Sequence, residues 1–501
     1  MTQLKRNIIA NFVGRGWTAL AGFIFVPFYI KFMGVEAYGL VGFFVTLQTV
    51  FLLLDMGLST TMNREMAKYS VISGSEQKAR DMVRTLETIY WLIAIAIGLL
   101  MVFFSPPISS KWINSEALST STVQRAVLMM GLAIAFQFPF ALYSGGLMGL
   151  QRQVLYNGIL VLAATLRGVG AVLILWLISP TITAFFTWQI VVSVSQTALS
   201  AFFLRRSLPG KGGRARFKKY LLQENLRFTA GMSAIGILSV ILTQMDKVVL
   251  SKMLTLEMFG YYSLATLVAS SLYVVMSPIF TAIFPRFSQL VTKRAEAELT
   301  LLYHQSCQLM SVLVLSVAVT VALFAPEIIL LWTGDATVVD QTHLLVSLLI
   351  TGTALNAIVN IPYALQLAHG WTRLAFFQNL IGVVVLFPLL LLATSIYGAK
   401  GAASVWIILN GGYVTISMQY MHRRLMKKEK LRWYYEDIGI PLLGAFSVAL
   451  IARLLFPEHV SRLVTLSLLF TVFAAVLSVS AMVTPFTRNL ISKIALPVKS
   501  S

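Results

Sequence analysis

Two charged residues of opposite sign stand inside apolar stretches near the start of the chain. Asp55 follows a run of phenylalanine and leucine in FLLLDMGLSTTMNREMAKYS (51–70), and Arg15 lies in an apolar stretch that begins near residue 8. Each residue is about seven positions, or ~10 Å, from the same end of two consecutive antiparallel helices. We therefore predict an ion pair between Arg15 and Asp55, because a charge left alone in an apolar interior is strongly destabilising.

Arg167 is a third charge in an apolar run, AATLRGVGAV. No acidic residue of the neighbouring predicted helices lies at its depth. Its planar guanidinium could bind a phosphate group through two parallel hydrogen bonds. It could equally bond polar groups of neighbouring helices, such as Gln189 or Gln137, and the sequence leaves both interpretations open.

Four further charges are candidates for a binding role. Asp246 and Lys247 are adjacent, but neighbouring helix residues point ~100° apart and need not bond each other. Lys247 could extend to the membrane interface, and Asp246 could line the outer part of a cavity or a gate. Arg64 and Arg286 occupy near-equivalent helix ends, where they could flank the entrance for an anion or serve only as ordinary loop charges.

Residues for covalent or metal chemistry are not brought together by the sequence. The five histidines (His304, His343, His369, His422 and His459) fall in predicted loops or at helix ends, without metal-ligand spacing. The phosphate-binding lysine motif of nucleotide hydrolases is not present. We therefore predict no catalytic residue, no metal site and no cofactor, and we expect the protein not to be an enzyme.

The elements that must position these charges are membrane helices. Of the 501 residues, 57% are hydrophobic and only 12% are charged, with a mean hydropathy of +0.80. A soluble globular protein has about 25% charged residues. A helix needs ~20 apolar residues to span the hydrocarbon. By this criterion we predict an all-α, polytopic fold with fourteen spans: 8–31, 40–61, 86–105, 125–146, 157–179, 181–204, 228–250, 261–284, 304–324, 342–367, 375–396, 401–421, 437–456 and 463–484.

The distribution of basic residues predicts the orientation of these helices. With the N-terminus inside, 29 of the 39 Lys and Arg residues fall in inside segments and six fall outside. This asymmetry places both termini in the cytoplasm. The net charge of +20 does not indicate nucleic-acid binding, because the basic residues are dispersed over short loops rather than clustered on one soluble face. The basic loop 205–227 could anchor the topology or contact anionic lipid.

The chain contains a weak internal repeat. KFMGVEAYG (31–39) matches KMLTLEMFG (252–260) at an offset of 221, and GLQR (149–152) matches GWTR (370–373) at the same offset. Six predicted helices per repeat give both halves the same orientation, as in transporters built from parallel repeats. We therefore predict an N-lobe (1–204), a basic cytoplasmic linker (205–227), a C-lobe (228–421) and two additional helices with a cytoplasmic tail (422–501).

The stretches LLLDMGLSTTMNREMA, TQMDKVVLSKMLTLEMFGYYSLA and FPRFSQL carry a resemblance to a known family. Over roughly the first 420 residues the chain resembles the polysaccharide transport family, the Wzx-type flippases of the multidrug/oligosaccharidyl-lipid/polysaccharide exporter superfamily. The resemblance implies two six-helix lobes around a central cavity that opens alternately to each side of a bacterial inner membrane. It also implies an undecaprenyl-pyrophosphate-linked oligosaccharide, such as an O-antigen repeat unit, as substrate. A polymerase and a chain-length regulator of the same polysaccharide pathway are the protein partners that it suggests.

On these grounds we expect a lipid-linked oligosaccharide flippase. The alternative is a cation or drug antiporter of the same superfamily, which should have a smaller and more acidic pocket. Another class, a membrane glycosyltransferase or polymerase, should carry a large outer loop or a cytoplasmic catalytic domain, and the longest predicted outer loop is under roughly 25 residues. The candidate cavity residues are Arg15, Asp55, Arg167, Asp246 and Lys247, and the candidate entrance residues are Arg64 and Arg286.

Overall fold

Helices account for nearly the whole of the computed structural model, which describes residues 3–208, 210, 213–457 and 460–489. No strand is formed within those ranges, where Asn114 and Thr255 make one isolated parallel bridge. The predicted all-α class is therefore confirmed. His459, the tail residues Lys493 and Lys499, and Pro209, Lys211 and Gly212 of the predicted linker lie outside the described residues.

The chain divides into two compact units, Met1–Gly260 and Tyr261–Ser501. Residues 228–260, predicted to begin the second lobe, group with the first unit, and our division into lobes stays a prediction. The described helices of the first unit are α1 (Gln3–Ile24), α2 (Val26–Phe51), α3 (Leu58–Tyr69), α4 (Glu76–Pro107), α5 (Thr120–Gln137), α6 (Phe140–Gly149), α7 (Gln153–Thr165), α8 (Ala171–Leu177), α9 (Ile182–Ser207) and α10 (Lys219–Met253).

One helix, α11 (Leu256–Ser270), runs from the end of the first unit into the second. Wider π-helical turns interrupt or extend the helices at Ile108–Trp112, Leu166–Gly170, Tyr413–Ser417 and Trp433–Gly439. The second unit continues with α12 (Leu272–Lys293), α13 (Glu296–Leu323), α14 (Ala325–Thr333), α15 (Ala336–Ile358), α16 (Asn360–Ala368), α17 (Arg373–Gly412), α18 (Met418–Arg424), α19 (Lys430–Arg432), α20 (Ile440–Leu454) and α21 (Arg462–Val483).

Eleven described helical segments are long and apolar enough to cross a membrane. Our fourteen predicted spans also include α1 and α10, which are not among the eleven. They further divide α17, where Gly398 has a non-helical backbone (φ 58°, ψ −139°) at the predicted join. The number fourteen and the cytoplasmic placement of both termini stay predictions.

The predicted helix 40–61 is wrong in one respect, since it is not continuous. α2 ends at Phe51, and a tight 3-10 turn (Leu52–Asp55) follows it. Met56 and Gly57 then adopt left-handed conformations (φ 47° and 80°) before α3 begins. A helix cannot run through two such residues, so Asp55 lies at a break between two helices rather than inside one.

The two segments that carry the repeat pack against each other. A Cβ atom added at Gly39 would lie 2.3 Å from the backbone oxygen of Leu256, and one added at Gly260 would lie 2.5 Å from that of Val35. Val35 and Leu256, like Gly39 and Gly260, are separated by the repeat offset of 221. Equivalent residues of the two repeats therefore make reciprocal contacts, as expected around a two-fold axis.

The C-terminal helices are attached to the second unit through buried polar contacts. Asp437 lies in the π-helical turn before α20, and His304 of α13 places Nδ1 2.6 Å from its Oδ2. Gln308 donates to the Asp437 Oδ1 at 2.9 Å and accepts from the backbone N–H of Phe486 at 2.9 Å. His304 is therefore a buried residue inside α13, and our placement of all five histidines in loops or at helix ends is wrong.

We expect Gly39→Ala and Gly260→Ala to lower the thermal unfolding temperature of the detergent-solubilised protein. Each added methyl group meets a backbone oxygen, which cannot rotate away as a flexible side chain can. In the matched control Gly22→Ala, nothing lies within 4 Å of the new methyl group. That control should be neutral or stabilising by up to ~1 kcal/mol, because alanine favours helix over glycine. Equal unfolding temperatures for all three variants would contradict the packing.

Candidate functional site

Asp55 is buried, and both oxygens of its carboxylate accept hydrogen bonds from residues of the first unit. The backbone N–H of Ser59 donates to its Oδ1 at 3.3 Å, and the Ser59 hydroxyl donates to its Oδ2 at 2.8 Å. The Tyr90 hydroxyl of α4 donates a short hydrogen bond to the Asp55 Oδ1. Since Ser59 is in the first turn of α3, the carboxylate accepts from one of the free N–H groups at the positive end of that helix.

The predicted ion pair between Arg15 and Asp55 is wrong for this structure. No described carboxylate lies within ion-pair distance of Arg15, whose side chain is exposed on α1. The prediction failed because it assumed that helix 2 continued through Asp55. The break at Met56 and Gly57 gives Asp55 a helix terminus as its partner. Arg15 is thereby left as an exposed cation in an apolar helix.

Arg167 bonds polar side chains of α9, which is one of the two interpretations that the sequence left open. It lies in the π-helical turn between α7 and α8. Its Nη1 donates to Gln189 at 3.0 Å, and its Nη2 donates to Ser193 at 3.2 Å and Gln196 at 3.0 Å. Both terminal nitrogens are thus engaged inside the unit, which disfavours the prediction that Arg167 binds a phosphate group.

Glu87 of α4 is a buried carboxylate that the sequence analysis did not single out. Tyr143 of α6 donates to its Oε1 at 2.7 Å, and Arg84 donates to its Oε2 at 3.2 Å. Arg205, in the last turn of α9, makes a short ion pair with the same carboxylate. The i, i+3 spacing of Arg84 and Glu87 was a signal for the local pair. The contacts with Tyr143 and Arg205 depend on tertiary packing and leave no trace in the sequence.

The remaining predicted charges have close neighbours of their own. Lys247 lies 3.2 Å from Asp246, and its ammonium also donates to the backbone oxygen of Thr243, so these adjacent residues do bond each other. Arg64 and Lys68 both bond the buried Glu65, at 2.9 and 2.8 Å. Burial raises the pKa of Glu65, but hydrogen bonds and charges from Lys68 and Arg64 outweigh it and hold the pKa below its usual value.

Arg286 is exposed on α12 of the second unit. It donates to Gln289 at 3.2 Å and lies 3.9 Å from the carboxylate of Glu298. Such an exposed and long ion pair contributes little to stability. The structure does not test whether Arg64 and Arg286 flank one entrance, and their role stays a prediction.

Uncharged polar residues of the predicted spans mostly bond across neighbouring helices. Three amide pairs do so at 2.6 to 2.8 Å: Asn11 with Asn157, Gln48 with Gln137, and Asn356 with Asn410. Such bonds are a common way to join helices in an apolar medium. These three pairs therefore serve as helix–helix contacts in the structure.

Of the charges that the sequence predicted inside the first unit, Asp55, Arg167 and the Asp246–Lys247 pair are bonded within the protein, whereas the Arg15 side chain is exposed. Comparison with known proteins places the chain in a family. Residues 4–291 match the family of polysaccharide biosynthesis proteins. The chain belongs to that family. Within it, a Shigella flexneri protein that carries the name of an O-antigen transporter is 23% identical over 409 residues, covering 81% of this chain and 94% of the relative.

Solved structures of known transporters share the fold of this chain. A lipid II flippase, MurJ, in an inward closed conformation superimposes with a TM-score of 0.71 at 15% identity, over 97% of this chain and 99% of that one. An inward-facing transporter of the multidrug resistance MATE family also gives a TM-score of 0.71, at 13% identity, over 85% of this chain and 98% of that one. The family and the fold confirm the resemblance drawn from the sequence and establish a multi-pass protein of the bacterial inner membrane.

Substitutions at Asp55 should distinguish its observed partners from the predicted one. Asp55→Ala leaves the Tyr90 hydroxyl and the start of α3 without an acceptor, at a cost of about 1–3 kcal/mol per buried group. In thermal unfolding measurements, we expect Asp55→Ala and Tyr90→Phe to be coupled, with a double variant less destabilised than the sum of the single ones. Asp55→Ala and Arg15→Gln should be additive within about 0.5 kcal/mol. A strong coupling of Asp55 to Arg15, with none to Tyr90, would contradict this assignment.

Proposed function

We propose that the protein is a flippase that moves a polyprenyl-pyrophosphate-linked oligosaccharide repeat unit from the cytoplasmic to the periplasmic face of the inner membrane. Membership of the polysaccharide biosynthesis family supports the class of substrate. The transporter fold, shared with a lipid II flippase, supports a transport role rather than a chemical reaction. We further propose that the protein works by alternating access and acts on the substrate without changing it chemically.

Arg15 is the observation that carries this proposal. Its side chain is exposed in the middle of α1, where Val13 and Leu20 are exposed as well (61% and 56%). A charged side chain facing hydrocarbon is costly, so such residues normally face water or a charged partner. No described carboxylate pairs with it. A guanidinium held in this way suits a pyrophosphate, because its fork matches two phosphate oxygens at once.

The carboxylates disfavour the antiporter alternative. A transporter of cations needs acidic side chains that can accept the cation or its coupling proton. Asp55, Glu87 and Asp246 each accept hydrogen bonds or ion pairs from the protein itself. A cation would have to displace these partners, whereas an anion meets the exposed Arg15 directly.

The reciprocal contacts of Gly39 and Gly260 suggest where movement would occur. Both glycines follow segments that the charge distribution places on the periplasmic side. The bridge between Asn114 and Thr255 lies on the same predicted side, and the Leu256 N–H donates to the Asn114 oxygen at 2.7 Å. We propose that these contacts close the periplasmic side and separate when the protein opens outward.

Complementation in a deletion strain tests the proposal. Without the protein, lipid-linked repeat units should accumulate on the cytoplasmic face, and the wild-type chain should remove them. Arg15→Gln should restore transport at least about tenfold less well, since a hydrogen bond to a charged group contributes about 1.5–3 kcal/mol. Arg15→Lys should be intermediate, because it retains the charge but not the fork.

Arg152→Gln is the matched control for net charge, because Arg152 is exposed in the same unit. It should transport like the wild type. Full complementation by Arg15→Gln would show that Arg15 does not bind the headgroup. If the deletion caused no accumulation at all, the flippase proposal itself would fail.

A further inference from the structure

A cavity with a volume of about 460 Å³, lined by several arginines, lies at the end of the first unit that the charge distribution places in the cytoplasm. One face of α4 lines it with Arg80, Val83, Arg84 and Glu87, which are spaced at i, i+3, i+4 and i+7. The last turn of α9 adds Arg205, and Leu208 follows just after it; the segment after α9 adds Arg214 and Ala215. Four guanidinium groups therefore surround a cavity that contains one carboxylate.

The segment after α9 is fixed to α4 by its own backbone. The N–H of Arg216 donates to Asp81 at 2.8 Å, and the N–H of Lys218 donates to the Thr85 hydroxyl at 2.9 Å. Arg80 donates to the Gly210 oxygen at 2.6 Å, and Gln77 donates to the Arg214 oxygen at 3.3 Å. Contacts on both sides of the cavity thus place Arg214 over it, so the described part of the predicted linker forms a wall rather than a loose connection.

Glu87 does not neutralise this arrangement. Its two oxygens are shared among Arg84, Arg205 and Tyr143, so they satisfy two of the four guanidinium groups in part. The Arg80 Nε is buried and has no hydrogen-bond partner. The Arg214 guanidinium is exposed and has no partner among the described residues. A buried donor without an acceptor is costly, and an anion in the cavity would supply acceptors to Arg80 and Arg214.

We propose that this cavity binds a phosphate group of an anionic molecule at the cytoplasmic face. A phosphate presents several acceptor oxygens to converging guanidinium groups, which is the arrangement that arginine recognises best. The site is separate from Arg15 in the sequence and in the contacts that form it. The inference goes beyond the proposed function, because phosphate binding here does not require that the protein transports a glycolipid.

Two sources could supply the phosphate group, namely a free phosphate compound and the headgroup of an anionic membrane lipid. Lipids of the inner leaflet are concentrated next to the cytoplasmic ends of α4 and α9, and basic clusters at this position commonly bind anionic headgroups. Both sources present the same phosphate group to the arginines. The geometry of the site therefore cannot distinguish them, and the binding experiment does so by comparing probes.

Binding is measured on the purified full-length protein in detergent at constant ionic strength, with inorganic pyrophosphate, phosphatidylglycerol or net-neutral phosphatidylcholine as the probe. Arg214→Gln should weaken binding of pyrophosphate or phosphatidylglycerol by about tenfold. Arg216→Gln is the matched control, since it removes the same charge two residues away, with a side chain outside the cavity. It should change binding less than about twofold, because its side chain does not line the cavity and acts only through a screened long-range charge.

The outcome also identifies the source. Binding of pyrophosphate that depends on Arg214 supports the site and shows that the phosphate group suffices. Dependence on Arg214 with phosphatidylglycerol alone supports the site and assigns it to a lipid headgroup. The proposal is overturned if no probe binds in a manner that depends on Arg214, or if Arg214→Gln and Arg216→Gln weaken binding equally. Neither result bears on flipping, which complementation measures separately.

Discussion

A buried charge in an apolar medium must find its partners within the protein, and in the first unit helix α4 takes part in three such groups of contacts, at Asp55, Asp81 and Glu87. Tyr90 reaches Asp55 at the start of α3, and Glu87 receives Tyr143 from α6 and Arg205 from α9. Asp81, one turn from Thr85, accepts a hydrogen bond from the backbone N–H of Arg216 in the segment after α9. Removing a single partner would leave a buried polar group unsatisfied, so these contacts fix the positions of four neighbouring segments at once.

The second unit meets the same constraint with a different set of residues. His304 places one ring nitrogen at Asp437 and the other 3.0 Å from Glu429, so a single buried ring joins α13 to the chain on both sides of α19. Apolar contacts complete the attachment, since Ala445, Ala449 and Val476 pack with Val319 and Leu323. The two C-terminal helices, which fall outside the repeat, are thereby joined to a helix inside it.

The all-helical class and the positions of most helices could be predicted because they follow from composition and length. The join at Gly398 was also visible, since glycine tolerates a backbone that other residues avoid. The break after Asp55 was not visible. Met56 is an ordinary helix former, so its residue type does not indicate the left-handed conformation that it adopts.

The candidate site was predicted by residue type but not by partner. Depth along a helix correctly selected Arg15, Asp55 and Arg167 as unusual, yet it could not say which way each side chain points. In the structure, Asp55 bonds the start of α3 and Arg167 bonds three side chains of α9. Arg15 has no carboxylate partner among the described residues and is exposed. Glu87 escaped notice because two of its partners, Tyr143 and Arg205, are far away in the sequence. The cavity beside it escaped notice because part of its wall comes from the loop 205–227, whose packing against α4 the sequence does not show.

The two halves of the repeat are similar in their packing but different in their charges. Gly39 and Gly260 are equivalent in the repeat and pack reciprocally, whereas Asp55 corresponds to Met276 in the second half. We therefore propose different roles for the two features. The repeat would provide two equivalent elements that separate, and Arg15 of the first half would recognise an anion.

The most direct test is transport of a fluorescent polyprenyl-pyrophosphate-linked oligosaccharide in proteoliposomes that contain an Asn114→Cys, Thr255→Cys variant. Asn114 and Thr255 form a β-bridge, and the Cα atoms of such a pair are close enough for a disulfide to join them. The single native cysteine, Cys307, is buried and should not interfere. The account predicts that the oxidised protein does not transport the glycolipid and that a reductant restores transport, with both single variants active throughout. Equal transport by the oxidised and reduced protein would contradict alternating access through this contact.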